Sequence, residues 1–412
     1  MSTTRKQNVL DPDYGAYGVA RPHRSIEQIA SSIPDNRNGR ICVGTSVGGN
    51  YVIFRVDDTG KLDQHFSKNN GLTEGKFAPP LSAVGRSVHL LSDGKILMIG
   101  LHNGLQPALA RFSSDGLLDT SFGEGGHILI KTPTDLLKHD QTHVPSSPRA
   151  IEVAEGGPQV HALGANDKVY LTFQFNNTHS LIMRFNADGA LDTTFNGTGY
   201  KQLTPPRGYI TYTSAMLLDG EFILLGGSVE TADLEIACVI RLHSSGEYDS
   251  TFGNEGFAFT ELTSHSNFFS IAKLASNAIV CAGVEAPQKG VIAAFDNQGQ
   301  PLADFTITSL ATGGYWKTVA VFNDQAIITV GNTGGNQADL LVGRFLTNGQ
   351  PDSGFQENGW LSFSLGKSMD WVLSSELQPD GSTLVTGEDN EEKEEEQGWI
   401  RKGFLLRCLT AP

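Results

Sequence analysis

The amino-acid sequence predicts an all-β fold: a single seven-bladed β-propeller with four antiparallel strands in each blade. Three observations predict it. A block of alternating apolar residues, Arg, a polar turn ending in Gly, Leu-Asp, two residues and an aromatic recurs along the chain. The Arg and the Phe stand eleven residues apart in each intact copy: Arg55/Phe66, Arg111/Phe122, Arg184/Phe195, Arg241/Phe252 and Arg344/Phe355. Between copies the chain reads as short alternating strands and Gly-rich turns, with no helical periodicity.

Taken in order, the copies account for the whole chain. In the second, strands are expected near Ser87–Leu91, Lys95–Leu101, Pro107–Ser113 and His127–Lys131, parted by turns such as Ser92-Asp93-Gly94. A degenerate copy keeps Phe305 but has Ala294 in place of the Arg. The last copy is split. Its front half is Gly403-Phe-Leu-Leu-Arg407-Cys-Leu, and its back half is Leu10-Asp11-Pro-Asp-Tyr14-Gly-Ala-Tyr-Gly18. The N-terminal segment 9–24 is therefore expected to complete the blade begun by 371–409, with its outermost strand near Val19–His23. Such closure removes exposed sheet edges. Seven copies in 412 residues average about 59 each, which makes 1–412 one domain. Inserted loops are expected near 131–158 and 388–402.

The motif Leu-Asp-x-x-Phe-Gly-x-x-Gly is best kept in Leu118–Gly126, with a variant in Tyr248–Gly256. At this period it resembles the delta-60 repeat, a bacterial β-propeller family built on a domain of unknown function. The resemblance covers essentially the whole chain and implies the fold; it implies almost nothing about activity. The Gly-His and Trp-Asp signature of WD40 blades is absent.

Composition excludes several classes. A net charge of −15 argues against nucleic-acid binding, which needs a basic face. Hydrophobic content of 39% is enough for a core. No apolar window approaches a membrane span, and no cleavable signal peptide opens the chain. The expectation is a cytoplasmic protein, or one exported without a cleaved Sec signal. The 4 Cys fall in strands, where they read as small buried thiols; at most one pair has disulfide spacing.

The repeated Arg and Asp read as structural. The degenerate copy loses both, having Ala294 and Leu302, so the two side chains are expected to pair. The pairs are Arg55–Asp63, Arg111–Asp119, Arg184–Asp192, Arg241–Asp249 and Arg344–Asp352, with Arg407–Asp11 bridging the chain ends.

The tight turns are the repeated part, so a site is expected on the other face, where loops differ between copies. Residues just before the innermost strands are the candidate ligand-binding set: Arg207, Tyr209, Tyr212, Phe268, Tyr315, Trp316, Asp370 and Trp371. Aromatics around a concave mouth suit sugar stacking or a peptide anchor; the same residues also suit packing between blades. His139 and His143, spaced one helical turn apart with Asp140 between them, are the candidate metal ligands. A divalent metal is the one cofactor they suggest. No catalytic residue is nominated. Gly44-Thr-Ser46-Val-Gly48 matches the nucleophile-elbow pattern, but a strand follows it where the elbow needs a helix.

These features point to a non-enzymatic recognition module for a protein or carbohydrate partner. A hydrolase or lyase with a His/carboxylate site, and a structural scaffold, are the alternatives.

Overall fold

The computed structural model describes residues 9–37, 39–133, 160–175, 179–208, 210–310, 313–335, 338–356, 358–366, 369–392 and 399–411. The chain enters with a two-residue strand, β1 (Val19–Ala20). The first full sheet follows as β2 (Ile26–Asp35), β3 (Gly39–Ser46), β4 (Asn50–Asp57) and β5 (Leu72–Gly75). The second is β6 (Ala83–Leu90), β7 (Ile96–His102), β8 (Gln106–Phe112) and β9 (His127–Leu129). The third is β10 (Val160–Leu163), β11 (Val169–Phe175), β12 (His179–Phe185) and β13 (Tyr200–Leu203). The fourth is β14 (Ile210–Asp219), β15 (Phe222–Glu230), β16 (Glu235–His243) and β17 (Phe257–Phe259). The fifth is β18 (Ser266–Lys273), β19 (Ile279–Glu285), β20 (Lys289–Phe295) and β21 (Thr308–Ser309). The sixth is β22 (Tyr315–Phe322), β23 (Ala326–Asn332), β24 (Leu340–Phe345) and β25 (Trp360–Phe363). The seventh joins β26 (Met369–Leu377), β27 (Ser382–Glu392) and β28 (Trp399–Leu409) to β1, with Val19 opposite Leu406. Seven four-stranded antiparallel sheets are the blades of a seven-bladed β-propeller. Among the described residues no helix is long and apolar enough to cross a membrane.

One local structure explains the repeat. The Asp of each motif uses its two oxygens for different jobs. In the fourth sheet, Oδ2 of Asp249 accepts from Arg241 Nε at 2.7 Å, while Oδ1 accepts the backbone N–H of Thr251 at 3.0 Å. The same division holds at Asp63, Asp119, Asp192 and Asp352. The carboxylate thus closes its own turn and ties it to the third strand. The Arg then lies over the motif Phe: Arg111 is 4.5 Å from the Phe122 centroid and Arg241 is 4.3 Å from that of Phe252. The eleven-residue spacing places these three side chains together.

The turn glycine of the next copy completes the structure. A Cβ on Gly116, at φ +78°, would stand 2.3 Å from the ring of Phe66. Gly246 bears the same relation to Phe195, Gly299 to Phe252 and Gly349 to Phe305. Gly60 bears it to Tyr14, so Tyr14 is the ring of the split copy. Gly116→Ala is expected to destabilise by about 2–4 kcal/mol, from left-handed strain plus overpacking against Phe66. A urea midpoint unchanged from wild type would refute this account.

The split copy is built a little differently. The Asp11 N–H still donates to the Arg407 carbonyl at 2.9 Å, as the Asp119 N–H does to that of Arg111 at 2.8 Å. However, Arg407 divides its guanidinium among Asp11 at 3.2 Å, Asp380 and Ser382 Oγ at 2.9 Å. At the degenerate copy the Leu302 N–H donates to the Ala294 carbonyl at 2.9 Å, so the backbone persists without the ion pair.

A second repeated device shapes the innermost strands. Among the described pairings, five of them carry a β-bulge one residue past the partner of a second-strand glycine. The glycines are Gly44, Gly100, Gly227, Gly283 and Gly387, and a Cβ on any of them would come within 2.2 Å of a carbonyl oxygen of the bulged strand. The bulge residues are Ala30, Arg86, Ser214, Phe269 and Leu373. Arg86 is the one charged side chain among them.

Two compact units divide the chain. One comprises Met1–Ile130, Val330–Arg344 and Asp352–Pro412, and the other Lys131–Thr329 and Phe345–Pro351. The first unit's core includes Ile53, Phe66 and Phe112, a cluster around Phe54 and Leu405, and another around Val330, Phe363 and Phe404. The second unit packs Phe252, Phe268 and Phe295, and separately Phe195, Leu225 and Phe257. All 4 Cys are free and buried. Burial pushes the thiols of Cys42, Cys238 and Cys408 up to about 12 and raises that of Cys281.

The loop expected near 388–402 is different in the structure. The β27–β28 ladder continues through Glu388↔Gly403 to Glu392↔Trp399, so the residues at both ends of this stretch are strand. Polar composition there had suggested a loop, but a hairpin reaching beyond β26 needs no apolar face. The insertion near 131–158 lies mostly outside the described residues.

Candidate functional site

The predicted ligand-binding residues separate into two groups. In the second unit, Trp316 and Phe268 are each 0% exposed and Tyr212 is 7% exposed. Trp316 meets Phe345 edge-on at 5.8 Å, and Phe268 meets Phe295 at 6.2 Å. Tyr212 donates to Glu230 at 2.8 Å. These rings are core, and buried rings offer no face to a ligand. Tyr315 is half-buried against Phe269. Arg207 is exposed and lies 3.9 Å over Phe259. Tyr209 and the metal candidates His139 and His143 lie outside the described residues. Among the described residues no cluster of three or more His, Cys, Asp or Glu is placed to hold a metal ion.

The other group, Asp370 and Trp371, belongs to a polar cluster in the first unit. It sits where β26, β2 and β6 begin and β27 ends, the end of the sheets where the copies differ. Asp370 stands opposite Asp389, and Trp371 opposite Glu388. Strand alternation therefore puts Asp370 with Asp389 on one face, and Trp371 with Glu388 and Asn390 on the other.

On the first face Asp370 is 0% exposed. Its Oδ2 accepts from the Leu365 N–H at 2.7 Å and from Ser364 Oγ at 3.1 Å. Asn332 donates to the Asp370 carbonyl, and its Oδ1 accepts the Val372 N–H at 3.0 Å. Arg21 pairs with Asp389. Burial pushes the Asp370 carboxyl up to about 6; the Leu365 and Ser364 bonds oppose this, and the charges of Asp389 and Asp339 add to it. Oδ1 of Asp370 and Oδ1 of Asp389 are buried without a donor among the described residues.

On the second face Glu388, buried, accepts from Gln28 Nε2 at 2.8 Å and from Asn390. Burial raises its carboxyl, against the Gln28 bond and the fields of Arg401 and Arg86. Arg86 is half-buried at its bulge. It lies close enough to Glu388 for each to act on the other's charge, yet among the described residues it makes no hydrogen bond. Burial disfavours its charged form, but a guanidinium stays protonated in a protein. Asn390 Oδ1 is also buried and unpaired.

Sequence reasoning found Asp370 and Trp371 but missed Arg86, Gln28, Glu388 and Asn390.

A cavity of about 450 Å³ lies at the turn end of the first sheet, lined by Arg37, Arg55, Lys61, Asp63 and His65 among others. Its guanidiniums are already partnered: Arg55 with Asp63 and Asp35, and Arg37 with Asp115. It belongs to the repeated turn structure, and the bulge cluster is the better candidate.

Comparison with known proteins bears on the fold. The chain is similar to the Drosophila semaphorin 1a extracellular domains 1–2, at 9% identity over 95% of this chain and 87% of that one, with a TM-score of 0.51. It is similar also to Raptor of Chaetomium thermophilum, at 11% identity over 96% of this chain and 28% of that one, with a TM-score of 0.53. At such identities the likeness is one of fold alone. No curated protein sequence matches the chain. Residues 91–122 and 170–195 match the model described as "Domain of unknown function (DUF5122) beta-propeller", with which the delta-60 resemblance is compatible.

Proposed function

We propose that the protein is a non-enzymatic recognition module whose ligand, a carbohydrate or a protein segment, seats on the Gln28–Arg86–Glu388–Asn390 cluster. One observation carries this reading. A guanidinium with five donors is half-buried on an innermost strand and uses none of them within the described protein. None of its nitrogens is among the buried unpaired atoms, so they are open to an acceptor that a ligand brings. Catalysis is less well supported. Asp370 is 0% and Glu388 7% exposed, so neither raised carboxyl reaches a substrate atom as the chain stands.

A glycan array and a random-peptide array, probed with the whole chain, test the reading. The wild-type protein is expected to retain a discrete set of ligands, and Arg86→Ala/Glu388→Ala to lose them with its circular dichroism unchanged. Ligands should also be recovered intact by NMR after overnight incubation. Retention of nothing, or conversion of a retained ligand to product, would overturn it.

A further inference from the structure

Resting on that reading, we infer that the cluster takes a sugar bearing a carboxylate, with Arg86 as its anchor. The charges indicate one anionic group. Arg86 and Arg401 both act on Glu388, so two guanidiniums face one carboxylate. Arg86 hydrogen-bonds no carboxylate among the described residues, so a ligand carboxylate can take its guanidinium. Arg401 is exposed on β28, opposite Asn390, so it remains open to a ligand.

Geometry favours a planar acid at Arg86. The guanidinium presents a rigid fork that matches a carboxylate's two oxygens. The bulge takes Arg86 out of the β6 ladder, between the Gly85↔Gly100 and Ser87↔Ile99 pairs. A bulge re-aims the side chain it carries. At the other four bulges whose pairings are described the residue is Ala, Ser, Phe or Leu, so Arg86 is the charged one of these five.

The neighbours fit hydroxyls. Gln28, half-buried, offers its amide to a hydroxyl, and the buried Glu388 holds that amide in place at 2.8 Å. A pyranose ring carries hydroxyl donors that an acidic peptide side chain lacks. Trp371, half-buried on the same face as Glu388, supplies an aromatic surface for the ring.

Calorimetric titration of the whole chain with D-glucuronate, D-glucose and N-acetyl-Glu-Glu tests the inference. Glucuronate is expected to bind at least about tenfold more tightly than either of the others. Arg86→Gln should weaken it by about tenfold to a hundredfold, the range for losing a charge-assisted pair. Arg86→Lys should recover only part, since it keeps the charge and loses the fork. Arg401→Gln, at an exposed position, should weaken glucuronate severalfold without disturbing the fold. Equal binding of glucose and glucuronate would overturn the carboxylate inference and leave the recognition reading standing. Tighter binding of the dipeptide would overturn the sugar. No binding of any probe would overturn the inference, and the arrays would then judge the recognition reading separately.

Discussion

Arg241→Ala is expected to destabilise the protein by about 3–5 kcal/mol, and adding Asp249→Leu is expected to restore at least half of that loss. The pair is deeply placed, with side-chain exposures of 7% and 4%. Removing the Arg leaves a carboxylate buried with no counter-charge, which is the costly half of breaking a buried ion pair. Burial already pushes the Asp249 carboxyl up. Thr251 and Arg241 together outweigh burial and hold it below the usual range. The second change removes the stranded charge, and it reproduces the Ala294/Leu302 combination that the degenerate copy carries. Recovery is incomplete because Thr251 loses both its bonds to Asp249 Oδ1, worth about 1 kcal/mol each. Urea unfolding of the two single variants and the double gives the coupling directly. A double variant as unstable as the sum of the singles would mean that the two side chains act independently.

This motif was legible in sequence for a physical reason. Arg, Asp and Phe interact across a fixed eleven residues, so their contacts recur wherever the spacing recurs. The joint loss of Arg and Asp in one copy pointed to the ion pair. The turn glycine was legible only as punctuation, because its packing against the ring of the preceding copy joins residues about fifty apart, such as Phe66 and Gly116. Tyr14 was readable as the ring of the split copy only because the N-terminal segment repeats the back half of the motif.

The site was less legible. Aromatics at the start of an innermost strand alternate in the same way whether a face packs on a neighbouring blade or opens to solvent. Trp316 and Phe268 therefore read as binding residues, and the structure buries both. Arg86 was hidden for the opposite reason. A bulge shifts register by one residue and reverses the meaning of alternation from there on. The strand for this blade was expected to begin at Ser87, one residue past Arg86; in the structure it begins at Ala83. Glu388 and Asn390 were masked by the charge run that follows them, which reads as a solvated loop until the β27–β28 ladder is seen to continue through it.

The second large effect belongs to Asp370. Its carboxyl is fully buried and pushed up to about 6, against about 3.9 for an aspartate in an unfolded chain. Between these values the folded protein holds a proton that the unfolded chain has released. Stability is therefore fullest below about pH 4 as far as this group is concerned, and falls as pH rises through 6. The sign is opposite to that of Asp249, whose lowered carboxyl contributes stability above the unfolded value and loses it in acid. Above pH 7 the ionised Asp370 costs about 3 kcal/mol, the free energy that separates a carboxyl at about 6 from one at about 3.9. Asp370→Asn removes that charge and keeps an oxygen for the Leu365 N–H and Ser364 Oγ bonds. Its amide N–H would stand where Oδ1 now lacks a partner, on the face shared with Asp389. The variant is expected to be more stable than wild type by up to about 3 kcal/mol at pH 8, with the gain shrinking to near zero by pH 4. Arg21 already pairs with Asp389, so the negative charge remaining on this face after the substitution keeps its partner. Unfolding free energies at pH 4, 6 and 8 decide the matter. A constant difference between the two proteins across that range would mean that Asp370 does not titrate there, and that its carboxylate is compensated by groups other than those seen around it.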